Sequence, residues 1–175
     1  MMTIEEAYLK IILENQLEKL TDYDEVREVS PVEMNDLVSK WADDLDYRSR
    51  TANITKNFGD PNIIGYALFK DREMKAVAQI ERKYFNRNQI YLREIASYHP
   101  GAGRLLMNYL LDNLAKDFII FAADWSQDRK LAIYYKKLGY EEIVKKKPDG
   151  DVHWFWKAKP GMEQEAMKAI AENPL

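Results

Sequence analysis

The sequence predicts an α/β (α+β) domain, a single sheet flanked by helices, and three observations carry that expectation. Residues 89–140 read strand, glycine-rich break, helix, strand, helix. Two strand-like runs joined by turn residues precede that block, and a hairpin pattern follows it. The 175-residue length suits one domain with a substantial core, here taken as 1–175.

Thr3-Ile4-Glu5-Glu6 has the spacing of a capping box, and Tyr8, Ile11, Ile12, Leu17 and Leu20 follow it with loose helical periodicity. Residues 1–28 therefore read as an appended N-terminal helical element. Ser30-Pro31-Val32-Glu33 is a stronger start: a capping serine, proline at the first helical position and glutamate three residues on. Met34, Leu37, Val38, Trp41 and Leu45 then form one apolar stripe. The polar stretch 46–61 reads as a segment able to close over an acceptor. Asn62–Phe69 and Lys75–Phe85 read as antiparallel strands joined through Asp71-Arg72-Glu73, and Asn86-Arg87-Asn88 turns the chain into the next strand.

In that strand Ile90, Leu92, Ala96 and Tyr98 have period two, which places Glu94 on the face of Leu92 and Ala96. His99-Pro100-Gly101-Ala102-Gly103 breaks the pattern, and Leu105, Leu106, Tyr109, Leu110 and Leu114 resume it at helical spacing. Phe118–Ala123 is an unbroken apolar run, as in a strand covered on both faces. Asp128 is placed to cap a helix bearing Leu131, Ile133, Tyr134 and Leu138, and Gly139 stands where a left-handed cap is wanted. Tyr140–Lys147 and Val152–Ala158 form a last hairpin across Pro148-Asp149-Gly150-Asp151. A C-terminal helix over 160–175 starts at Pro160-Gly161, carries Met162, Ala166 and Ile170, and stops at Asn173-Pro174.

Composition excludes several chemistries. There is no cysteine, so disulfides, thiol nucleophiles and cysteine-rich metal sites are out, in keeping with a reducing cytoplasm. Two histidines are too few for a histidine-rich metal centre, and no metal is expected. No apolar run approaches the roughly 20 residues of a membrane span, and no signal-peptide pattern opens the chain. The net charge of −3 is unevenly spread: residues 1–46 hold 13 acidic against 4 basic residues, leaving 16 acidic and 22 basic in the remainder. Lys145-Lys146-Lys147 reads as a solubilising strand edge, and the net acidity argues against nucleic acid as a partner.

Ala132-Ile133-Tyr134-Tyr135-Lys136-Lys137-Leu138-Gly139-Tyr140 closely resembles the A-x-x-F-Y-x-K-x-G-F phrase of the Gcn5-related N-acetyltransferase (GNAT) family. Tyr98-His99-Pro100-Gly101-Ala102-Gly103 is similar to that family's Q/R-x-x-G-x-G/A loop. It keeps both glycines, has Tyr98 in place of Gln or Arg, and is shorter. The resemblance is close over about a third of the chain and otherwise lies in the order of elements. It implies a mixed, mostly antiparallel central sheet flanked by helices, with an extra N-terminal helix. It also implies an acetyl-coenzyme-A-dependent N-acetyltransferase that moves an acetyl group to a primary amine by direct attack. The acceptor is left as a small molecule, a polyamine, a protein lysine or an N-terminus. The acidic N-terminal residues would suit a cationic one, though they read equally as solvated helix faces. Oligomeric state stays open, a homodimer included.

By the same resemblance, amides of Gly101, Ala102 and Gly103 would meet the coenzyme A pyrophosphate at a helix N-terminus, with Arg104 adding a charge. The backbone of Ile95, Ala96 and Ser97 would pair with the pantetheine arm, and Asp128 stands where relatives carry a coenzyme-contacting Asn. Glu94 falls where relatives carry the base that takes the amine proton, and Tyr135 where a hydroxyl protonates the leaving thiolate. Each has a plainer reading. The loop could be an ordinary turn, Glu94 could be solvated or paired with a base such as Arg82, Tyr135 could be packing, and Asp128 a helix cap. The shortened loop keeps open a second function, a catalytically inactive binding or structural module on the same fold.

Overall fold

The computed structural model describes residues 22–39, 60–82, 88–124 and 129–173. The helix expected after Thr3, the stripe residues beyond Ser39 and most of the 46–61 segment lie outside them.

Seven strands form one sheet: β1 (Glu25–Val29), β2 (Ile63–Lys70), β3 (Glu73–Glu81), β4 (Gln89–Ser97), β5 (Ile119–Asp124), β6 (Glu141–Lys145) and β7 (Val152–Lys157). Their order is β1-β2-β3-β4-β5-β7-β6, antiparallel throughout except for the parallel β4–β5 pair. Among the described residues four helices flank it: α1 (Pro31–Ser39), α2 (Ala102–Leu114), α3 (Lys130–Lys137) and α4 (Glu163–Glu172). This is the expected mixed, mostly antiparallel sheet covered by helices.

Local chemistry explains most boundaries. The Ser30 hydroxyl accepts the Glu33 amide at 3.2 Å, so the first capping signal works as read. Asp71 and Arg72 both have positive φ (54° and 63°), giving the two-residue turn whose twist matches a β-hairpin. Gly139 takes the left-handed conformation (φ 82°) just past α3.

Two assignments change. Residues 25–28, placed in the N-terminal helical element by sequence, instead join Val29 in β1, paired with β2 from Glu25↔Phe69 to Val29↔Gly65. Arg27 lies 4.4 Å over the Phe69 ring and donates to both carboxylate oxygens of Glu33 at 2.5 and 3.1 Å, tying this edge strand to α1. The lysine run is not merely a solvated edge either. Lys145 donates to the carbonyl oxygens of Ile170 and Asn173 and so closes the end of α4.

The core has two faces. On one, Ile80, Ile90, Leu92, Ile120, Ala122 and Phe155 pack under Leu106, Met107, Leu110 and Leu111 of α2 and Ala132 and Tyr135 of α3. The opposite face carries Met34 of α1 over Val29, Ala67 and Val77. It also carries Ala166 and Ile170 of α4 over Ile119, Phe121 and Trp154. Among the described residues no helix is long and apolar enough to cross a membrane.

Gly139 is the point where α3 turns back into β6, and a side chain there would be held at φ 82°. Gly139→Ala should therefore lower unfolding free energy by about 1–2 kcal/mol, read as a shifted urea midpoint at unchanged slope.

Candidate active site

The β4–β5 ladder is short. It pairs Gln89↔Ile119, Ile90↔Ile120 and Tyr91↔Phe121 and then ends, although β4 continues to Ser97 and β5 to Asp124. Beyond Tyr91 the two strands bound a wedge, closed on its outer sides by β3 along β4 and β7 along β5.

An irregularity in β4 lies at the same place. Its register with β3 runs Ala78↔Ile95, Gln79↔Glu94, then Ile80↔Leu92, so Arg93 is an extra residue opposite no partner. This bulge reverses the alternation: Ile90, Leu92 and Ile95 all join the core under α2, whereas Tyr91 and Ala96 belong to the other face. Glu94 therefore shares a face with Ala96 but not with Leu92, correcting the unbroken alternation expected from sequence. Arg93 itself donates to the buried Glu81 carboxylate at 2.8 Å.

Glu94 is half-buried. Burial raises its pKa above the ordinary carboxylate value, and the Arg93 charge only partly opposes this. The Arg82 guanidinium, the partner considered from sequence, is a hydrogen-bond neighbour of the Tyr66 hydroxyl.

At the wide end of the wedge the chain turns through His99–Gly101 into α2. Gly101 has φ 83°, which only glycine adopts readily. Gly103 serves a different need: a Cβ there would sit 3.1 Å from Ser97 Cβ, so the end of β4 and the start of α2 touch. The Ser97 hydroxyl donates to the His99 carbonyl at 2.6 Å and accepts the Gly103 amide at 3.1 Å. The Ala102 amide bonds the His99 carbonyl at 3.1 Å. Among the described residues the Gly101 and Arg104 amides find no acceptor. The loop thus fastens two of its amides internally and leaves two at the first turn of α2.

Tyr135 projects from α3 into the core, its ring centroid 4.9 Å from Phe155 and 5.3 Å from Tyr140. Burial first, then the hydroxyls of Tyr91 and Tyr134 and the carboxylates of Asp124 and Glu94, push its pKa far above the ordinary phenol value. The two residues proposed from sequence as base and acid therefore share one electrostatic neighbourhood. Tyr134 is pushed up to about 12 by burial, against the opposing charge of Arg104. The predicted residues Glu94, Ile95, Ala96 and Ser97 thus line one wall of the wedge, with Gly101–Arg104 beyond its wide end. Asp128 lies outside the described residues; α3 starts at Lys130, with Arg129 at the N-cap position and no side-chain cap bond.

Three participants went unread. Arg93 is invisible as a bulge without its partner strand. Ser97 was taken only for its backbone, yet its hydroxyl organises the loop. Asp124 is a buried carboxylate at the end of β5 near Tyr135, signalled only by being the one acid that ends an apolar run.

Solved structures similar to this one include acetyltransferases. An acetyltransferase from Thermus thermophilus superposes with a TM-score of 0.57 at 13% identity, over 76% of this chain and 95% of that one. The ribosomal-protein-S18-alanine N-acetyltransferase from Escherichia coli gives 0.53 at 18%, over 78% and 97%. An aminoglycoside 6'-N-acetyltransferase complexed with coenzyme A gives 0.53 at 16%, over 77% and 96%. No protein-family model matches the sequence, and no curated protein matches it. The chain has the fold of the Gcn5-related N-acetyltransferases. At these identities that is a statement about the fold.

The Tyr140 hydroxyl is fully enclosed and finds no hydrogen-bond partner among the described residues. A buried hydroxyl left unpaired costs about 1–3 kcal/mol. Tyr140→Phe is therefore expected to hold or raise the thermal melting temperature, and a marked loss would mean the hydroxyl is bonded.

Proposed function

We propose that the protein is an acetyl-coenzyme-A-dependent N-acetyltransferase that acetylates a primary amine by direct attack. The observation that carries this reading is the wedge: six residues of β4, Leu92–Ser97, Glu94 among them, lie beyond the last β5 pair, with Tyr135 within electrostatic reach of Glu94. Exposed strand backbone accepts an amide-bearing chain as it would another strand, and the pantetheine arm is such a chain. The Gly101 and Arg104 amides and the Arg104 side chain supply an anion site at the α2 N-terminus. The residues present therefore fit coenzyme A, with Ile95, Ala96 and Ser97 offering backbone and Gly101, Ala102, Gly103 and Arg104 the phosphate end. Asp128 would join them as a coenzyme contact. The bound thioester supplies an activated acetyl carbonyl.

Glu94 accepts the proton from the ammonium form of the amine, directly or through water. Its raised pKa makes it a better base than an ordinary carboxylate. Tyr135 holds its proton at any working pH and donates it to the departing sulfur. The acceptor is a primary amine on a small molecule, a polyamine, a protein lysine or an N-terminus. Two fold neighbours are named for a small-molecule acceptor, an aminoglycoside, and for a protein one, the ribosomal protein S18 alanine. Acetyl-coenzyme A and the expected reducing setting agree with action in the cytoplasm.

A second reading has one observation behind it. Ser97 already occupies the Gly103 amide in the shortened loop, as in a fold kept for binding rather than transfer. Thermal melting separates the two. Coenzyme A at about 100 times its dissociation constant adds roughly 2.7 kcal/mol, and no shift at millimolar coenzyme A would favour the module.

In a transfer assay over a panel of amines and lysine peptides, Tyr135→Phe should lower kcat by about 10²–10⁴-fold with little change in coenzyme A affinity. Unchanged turnover would remove the phenol from the mechanism. For Glu94 only the deprotonated form accepts a proton, so kcat/KM should rise with pH through a value above the ordinary carboxylate pKa of about 4.3. Glu94→Gln should erase that limb, and an intact limb would assign it to another group.

A further inference from the structure

Helix α3 carries Tyr135 but is poorly equipped to hold itself in place. It has 8 residues, of which Ala132 and Tyr135 are buried, while Leu131 and Ile133 are exposed. Isolated helices shorter than about 12–15 residues are marginal in water, so its docking depends on tertiary ties.

Those ties converge on Glu142 of β6. Its carboxylate accepts from Arg129 Nη2 at 2.6 Å, from Lys136 Nζ at 2.6 Å, and lies 2.8 Å from His153 Nδ1. Arg129 Nη1 also lies 2.6 Å from His153 Nδ1. Arg129 stands at the N-cap position of α3 and Lys136 in its last turn, about 10 Å apart along the axis at 1.5 Å per residue. Tyr135 lies between the two anchors. Glu142 and Val144 share the face of β6 that meets His153 and Phe155, and Phe155 is the ring against which Tyr135 packs.

Solitary surface ion pairs contribute little, but this one is built differently. The Glu142 side chain is only 11% exposed and accepts from two cationic side chains, Arg129 and Lys136. Burial works against its charge, yet the hydrogen bonds, those from Lys136 and Arg129 foremost, outweigh it and hold its pKa at about 2. The carboxylate is therefore ionised at any pH at which an enzyme would work.

We infer that Glu142 is a positioning residue: by binding Arg129 and Lys136 at the two ends of α3 it holds that helix, and with it the Tyr135 hydroxyl, against the β6–β7 hairpin. The catalytic half of this inference rests on the acid role proposed for Tyr135; the docking half does not. Lys157 Nζ, which donates to the Leu138 carbonyl at 2.7 Å, remains as a separate tie when Glu142 is altered.

The test compares wild type, Glu142→Gln and Lys136→Met, the last removing one donor and leaving the carboxylate. Amide hydrogen exchange of residues 130–138 should quicken about tenfold in Glu142→Gln, less in Lys136→Met, with residues 102–114 unchanged. Turnover with acetyl-coenzyme A should fall about tenfold to a hundredfold in Glu142→Gln at unchanged KM for acetyl-coenzyme A. In a Tyr135→Phe background the same substitution should cost nothing further, because the group it positions is gone. Unchanged exchange across 130–138, or turnover losses that multiply in the double variant, would overturn the inference. A wild type that transfers to no amine would instead sink the proposed function, and the exchange comparison would still decide whether Glu142 holds the helix.

Discussion

The site depends on where two neighbouring strands stop being neighbours. β4 and β5 run together for three pairs and separate after Tyr91 and Phe121, at the residue pair next to the Arg93 bulge. An unbroken β4 would have turned Glu94 onto the face of Leu92, under the apolar side of α2. Burying a carboxylate there without a partner would cost several kcal/mol. The extra residue removes that conflict. It sends Arg93 out to Glu81, brings Ile95 onto the α2 side, and leaves Glu94 beside the gap. Bulge, divergence and charge placement are one arrangement seen three ways.

Burial then acts on the two flanking groups in the same direction but with opposite chemical use. Both Glu94 and Tyr135 have raised pKa values, chiefly because the charged form of each is poorly solvated. For a carboxylate that change means greater basicity. For a phenol it means a proton held firmly at neutral pH. The carboxylates of Asp124 and Glu94 reinforce the second effect, since they would repel a tyrosinate. Burial thus raises the pKa of a carboxylate on one face of β4 and of a phenol on the other.

Much of this was legible beforehand, and what was not has identifiable causes. The strand–loop–helix–strand–helix core could be read because each element declares itself locally, by period, by glycine or by an unbroken apolar run. β1 could not, because Glu-Val-Arg-Glu-Val on a sheet edge buries only Val29 and carries charges an edge strand tolerates. The bulge at Arg93 exists only relative to β3, so no pattern within β4 announces it. Lys145 looked like a solubilising charge because its acceptors, the last carbonyls of α4, lie 25 and 28 residues away. The Ser97–Gly103 bond likewise joins two elements that sequence treats as consecutive but separate.

That bond bears on whether a shortened loop disables the anion site. Ser97 Oγ and the Gly103 amide form a neutral hydrogen bond at 3.1 Å, of a kind that contributes about 0.5–1.5 kcal/mol. An amide donating to a phosphate oxygen is charge-assisted and is worth roughly twice as much, and the α2 dipole favours the anion by about 0.3–1 kcal/mol more. The Gly101 and Arg104 amides need no such exchange, having no internal acceptor to surrender. In the exchange itself Ser97 loses an N–H donor but keeps its own bond to the His99 carbonyl, so no buried donor is stranded. The internal bond is therefore weaker than the contact that would replace it. A short loop closed in this way can wait for a phosphate without resisting it.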